Sequence, residues 1–142
     1  MHEQDIHTSL HQIFTNVRLK NLVEVRGADR TPRGFEMAPV AFWVGLLMDK
    51  KIRAELSDVL MGWSKEDRKL FNHCALELDL NQKGPQGRSY GDWIHMVSGY
   101  SLEGLKNRHL KEEGLFESFF NLIMQSGPFS LQVQENESTY CS

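Results

Sequence analysis

From Val17 to Arg26 the chain alternates, with Val17, Leu19, Val23 and Val25 set against Arg18, Lys20, Glu24 and Arg26. Successive side chains of an extended chain point to opposite faces, so this period of two gives one apolar and one charged face. Asn21 and Leu22 interrupt the rhythm. The spacing predicts one strand over about Val17–Arg26. A different pattern follows, because Ala41-Phe42-Trp43-Val44-Gly45-Leu46-Leu47-Met48 is apolar without a break. Pro39 suits the first turn of a helix running to about Met48, and a helix apolar nearly all round is expected to be buried. These two segments pose a physical problem. One strand cannot form a sheet, and no convincing partner strand occurs elsewhere in the chain. The strand is therefore expected either to dock loosely on helices or to pair with a second copy, which makes a homodimer one expected state.

The remaining chain reads as helices. Asp5 can cap a helix whose apolar stripe is Ile6, Leu10, Ile13 and Phe14. Gly27 to Gly34 is a polar loop punctuated by glycine and Pro32. Lys51–Leu60 is amphipathic, and Ser64 with Asp67 approximates a capping box ahead of Leu70, Phe71, Cys74 and Leu78. Asn81–Gly91 reads as a loop. Asp92 then opens a helix carrying Trp93, Met96, Val97 and Tyr100, with Gly99 and Gly104 counting against its continuity. Leu115, Phe116, Phe119, Phe120, Ile123 and Met124 form a last helix stopped by Gly127-Pro128, and a polar, mobile tail is expected beyond. The fold class is thus mostly α, formally α+β, as one segment over 1–142. Within it, 1–29 holds a helix and the strand, 38–127 the helical region and 128–142 the tail.

A net charge of −3 gives no field for nucleic acid or an anionic membrane, and no apolar run reaches the length of a membrane span. The polar start Met1-His2-Glu3-Gln4-Asp5 lacks a signal-peptide core. With only Cys74 and Cys141, far apart, free thiols in a reducing cytosol are the expectation, and so a cytoplasmic protein. His7 and His11 stand at helical ligand spacing but lack a third ligand, and His73, His95 and His109 lack a cluster. Phe42 and Trp43 read as core packing. There is no nucleophile motif, phosphate loop or dinucleotide fingerprint.

The block Val17-Arg18-Leu19-Lys20 … Glu24-Val25-Arg26-Gly27-Ala28-Asp29, followed by Phe42-Trp43-Val44-Gly45-Leu46-Leu47, resembles a paired motif of the plant and proteobacterial glutamate–cysteine ligases. The match is densest over Val17–Asp49, about a quarter of the chain, and fades afterwards to a shared helical rhythm. Thr15 and Asn16 replace the family's usual Pro-Glu pair, and Val40 a proline, with Pro39 displaced by one. Met48 stands where plant members commonly have tyrosine, and Met37 where they have a cysteine. Thiol control through that cysteine is accordingly not inherited.

The resemblance implies a C-terminal segment of a glutamine-synthetase-like ligase fold, with Val17–Arg26 as a catalytic-sheet strand. It also implies ATP and magnesium as cofactors, with glutamate and cysteine as substrates in the first step of glutathione biosynthesis. Glutamate is activated as a γ-glutamyl phosphate, which the cysteine amine then attacks. Carried over residue by residue, Glu24 is the expected magnesium ligand and Arg26 the expected catalytic binder of phosphate or the glutamate carboxylate. The spacing of two aims both at one space. Arg18 is expected to bind substrate from the same face, with Lys20 beside it. The family's N-terminal part is absent, so it is an expected partner and this segment alone is expected to be inactive. Two plainer readings stand beside these. Glu24 and Arg26 also suit a solvated cross-strand ion pair, and Asp29 suits a loop cap. The alternative function is a non-catalytic helical interaction module descended from the same enzyme.

Overall fold

The computed structural model describes residues 17–19, 22–28, 31–77 and 79–140. The expected helix after Asp5 lies outside them, as does Leu78. The chain divides into two units, Met1–Arg30 and Thr31–Ser142.

In the first unit the predicted single strand is instead two. β1 (Val17–Leu19) and β2 (Val23–Val25) pair antiparallel, with Val17 opposite Val25, Arg18 opposite Glu24 and Leu19 opposite Val23. The chain reverses between Leu19 and Val23, the stretch in which the alternation is interrupted. The strand thus finds its partner within itself, which removes the expectation that it must dock loosely or recruit a second copy for pairing. Alternation survives the reversal because each opposed pair shares parity, so apolar positions face apolar and charged positions face charged.

The second unit is helical: α1 (Ala38–Met48), α2 (Lys50–Met61), α3 (Lys65–Glu77), α4 (Tyr90–Asn107), α5 (Gly114–Ser126) and α6 (Phe129–Tyr140). Pro39 starts α1 as expected. Asp49 ends α1 by turning extended, and its carboxylate then caps α2, accepting from the amides of Lys51 at 2.8 Å and Ile52 at 3.0 Å. The same carboxylate accepts from Asn107 Nδ2 at 3.0 Å, tying this corner to the end of α4. Arg53 donates back to the Leu47 carbonyl at 2.6 Å and Arg68 to the Leu60 carbonyl at 2.5 Å. Each guanidinium thereby adds a donor to a carbonyl in the last turn of the preceding helix, and the Leu60 carbonyl also accepts from the Trp63 amide at 3.3 Å.

The capping box at Ser64 and Asp67 is present, with both reciprocal bonds at 3.0 Å. A second box opens α4. Ser89, rather than Asp92, caps α4, while Asp92 reaches back to the Ser89 amide at 3.2 Å. Neither Gly99 nor Gly104 interrupts α4. The expected polar tail is also corrected, because α6 continues from Phe129 to Tyr140. Phe129 anchors it between Phe35 and Phe119, at centroid distances of 6.4 and 5.8 Å. A half-buried aromatic at the first position, packed on two other rings, seats the polar helix that follows.

The core lies where α1, α4 and α5 meet, around Ala38, Ala41, Leu105 and Phe116. α1 crosses α4 through small residues, with Gly45 against Ser101 and Gly104, and Ser101 Oγ donates to the Phe42 carbonyl at 2.9 Å. A second cluster joins Trp63, Phe71, Tyr90 and Trp93, and the Trp93 indole donates to the Pro85 carbonyl at 3.0 Å. The sequence predicts α1 buried all round, but only one face is. Val40, Leu47 and Met48 are exposed, because α2, α4 and α5, which pack on α1, leave these positions uncovered.

The two capping boxes set an acid limit. The hydroxyl and then the amide of Ser64 hold Asp67 below the usual aspartate range, and those of Ser89 do the same for Asp92. A carboxylate lowered in the folded state contributes stability above its unfolded value of about 3.9, and loses it as pH falls through the lowered value. The melting temperature should therefore hold from pH 7 to about pH 5 and drop towards pH 3. In Asp67→Asn/Asp92→Asn that drop should shrink, and an unchanged profile would refute the assignment.

Candidate functional site

Arg18, Glu24 and Arg26 lie on the hairpin or directly after it. Glu24 is half-buried in the middle of β2, and Arg26, also half-buried, follows its last residue. Both have interaction partners within the structure. The two keep the spacing expected of them on one strand. Arg18 is placed differently from the expectation. On one extended strand its backbone would stand about 20 Å from Glu24, whereas in the hairpin it is Glu24's direct register partner, about 5 Å away. A carboxylate position thus has one arginine position across from it and another two residues along. Lys20 and Asp29 lie outside the described residues. The break in the alternation is the sequence signal for this rearrangement, since a reversal between Leu19 and Val23 folds the charged face onto itself.

This arrangement supplies one hard oxygen donor and two positions for cations. Among the described residues no group of three or more His, Cys, Asp or Glu residues could hold a metal ion. Magnesium characteristically takes one or two protein carboxylates and completes its shell with phosphate oxygens and water. Glu24 fits the part of one such donor, and the hairpin alone is not a complete site.

The other candidates are accounted for by packing. His73 lies 3.9 Å from Glu77 one turn along α3, and the His95 ring sits edge-on to Phe120 at 5.4 Å. His109 occupies a left-handed turn at φ 57°. Phe42 packs between Trp43 and Phe116, each at 5.2 Å, as core rather than as a ligand platform. Cys74 is buried with its Sγ 3.7 Å from the Lys83 carbonyl. His7, His11 and Cys141 fall outside the described residues. No helix among those described is long and apolar enough to cross a membrane.

Known proteins place the chain. Residues 1–89 match the glutamate–cysteine ligase family 2 (GCS2). The chain is similar to glutamate–cysteine ligase A, chloroplastic, of Oryza sativa subsp. indica, with 34% identity over 87% of this chain and 25% of that protein. It is 38% identical to the chloroplastic enzyme of Arabidopsis thaliana over 84% of this chain and 23% of that protein. For the chloroplastic enzyme of Solanum lycopersicum the identity is 30%, over 84% and 23%. The resemblance therefore extends well past Asp49, into helices that carry no motif beyond their apolar rhythm. These relatives also correct the cytoplasmic expectation, since all are chloroplastic. The chain spans about a quarter of the length of the relatives it matches. It belongs to glutamate–cysteine ligase family 2.

Proposed function

We propose that this chain supplies the C-terminal portion of an ATP-dependent glutamate–cysteine ligase, with Glu24, Arg26 and Arg18 facing the reacting groups. The family match across residues 1–89 carries this reading. In the reaction a γ-carboxylate oxygen of glutamate attacks the terminal phosphorus of ATP and ADP leaves. The cysteine amine then attacks the acyl carbon, and phosphate departs as the nitrogen loses its proton. Both steps crowd anionic oxygens, so positioned cations lower their barriers.

Arg26 is the catalytic residue of this set. Its planar fork holds two oxygens of the phosphoryl group or of the substrate carboxylate. Arg18 adds a second positive position on the substrate side. Glu24 would hold magnesium, which when bound neutralises phosphate charge. The sheet that extends this hairpin in a glutamine-synthetase-like fold, and the remaining metal ligands, come from the part of the ligase that the chain does not span. The plastid setting of the relatives is the location that goes with this reading.

Purified chain alone should release no phosphate above background in the presence of ATP, glutamate, cysteine and magnesium. Co-expressed with the remaining three quarters of the Arabidopsis enzyme, it should gain turnover that EDTA removes. Turnover by the isolated chain would show that the catalytic set is complete without the rest. A stable but inactive assembly would favour the non-catalytic helical module.

A further inference from the structure

Helix α1 has no charged residue between Ala38 and Met48, yet it is buried on one side only. Ala38, Ala41 and Gly45 face the core and the α4 crossing. On the other side Met37, Val40 and Leu47 recur at intervals of three and seven, exposed to 52, 51 and 38%. Positions three, four and seven apart fall on one helix face, so these side chains, with half-buried Trp43 and Val44 between Val40 and Leu47, form an apolar stripe. Met48, also exposed, stands seven residues after Ala41 and belongs to that side instead. A stripe of this kind is costly to leave in water and marks an interaction surface. Charge appears only at its ends, as exposed Glu36 before the helix and, after it, Asp49, exposed Lys50 and the Arg53 guanidinium on the Leu47 carbonyl.

The length of the family's enzymes indicates the occupant, because this chain spans only about a quarter of them. We infer that the α1 stripe of Met37, Val40 and Leu47 is the face on which the remaining three quarters of the ligase packs. This rests on the proposed function and adds to it the surface through which the assembly forms. The covering surface would be apolar at its centre, with positive charge near Glu36 and negative charge near Lys50. An 11-residue helix is about 16 Å long, so the stripe is the centre of such a contact rather than its whole area. The stripe points away from the α1–α4 crossing, which leaves the chain's own core untouched by substitutions in it.

The test uses the full chain co-expressed with the remaining three quarters of the Arabidopsis enzyme, reading co-elution and turnover separately. Val40→Asp and Leu47→Lys each place a charge in the covered face and should weaken the complex about 100-fold or more. Leu110→Asp, at another exposed apolar site, should leave it unchanged. Circular dichroism of each isolated variant should match the parent, since both α1 sites are already exposed. An active complex indifferent to Val40→Asp and Leu47→Lys would overturn this face and leave the proposed function standing. Failure of the parent chain to form any complex or gain turnover would remove both. An isolated chain that sediments as a dimer, broken by Val40→Asp, would assign the stripe to a second copy instead.

Discussion

Gly45→Ala should destabilise the helical unit by about 3 kcal/mol or more. A Cβ at Gly45 would lie 2.1 Å from the Ser101 carbonyl oxygen, and one at Gly104 would lie 2.0 Å from the Gly45 carbonyl oxygen. Each obstacle is backbone on the neighbouring helix, so no rotamer change relieves it and the two helices must separate. Separation also strains the bond from Ser101 Oγ to the Phe42 carbonyl. Alanine's better helix propensity returns only about 0.5–1 kcal/mol. The net loss is a large share of the 5–15 kcal/mol that holds an ordinary domain together. Gly104→Ala should behave alike, and the double variant should lose less than the sum because one separation relieves both contacts. Gly99, on the same helix, has nothing within 4 Å of its absent Cβ. Gly99→Ala should stabilise by about 0.5–1 kcal/mol. Urea midpoints for the three variants check this directly. Equal midpoints for Gly45→Ala and Gly99→Ala would mean that the crossing is looser than these distances require.

In the reconstituted ligase, Glu24→Gln and Arg26→Lys should each lower turnover by about 100-fold or more, the scale of losing a preorganised electrostatic contact. The two losses should differ in kind. Glu24→Gln keeps the size and removes the charge a hard cation needs, so higher magnesium should restore part of the rate. Arg26→Lys keeps the charge and loses the planar fork, so magnesium should restore nothing. The hairpin adds a third expectation. Arg18 stands in register with Glu24, so Arg18→Ala should raise KM for glutamate or ATP more than it lowers kcat. Folding should survive all three changes, because none removes apolar packing. Near-normal rates from well-folded assemblies would return Glu24 and its arginines to an ordinary cross-strand ion pair.

The sequence by itself determined what short-range chemistry controls. Alternation over Val17–Val25 separated an apolar from a charged face, and that separation holds in the hairpin. Pro39, the Ser64–Asp67 box and Gly127 mark helix ends because capping is decided within a few residues. Glu24 and Arg26 were legible because their spacing and flanking block are local. Pairing and contact between distant segments decided the rest. Whether Val17–Arg26 runs straight or turns back depends on cross-strand bonds, which a period of two does not report, and so Arg18's place beside Glu24 was not legible. Gly104 looked like a helix breaker because its use lies 59 residues away, against the backbone of Gly45. Phe129 gave no sign that it would seat a helix, since Phe35 and Phe119 meet it only in the fold. Composition made α1 apolar on every side. Only tertiary packing decided that α4 covers one side and leaves Val40 and Leu47 exposed, because burial belongs to pairs of surfaces and a sequence describes one surface at a time.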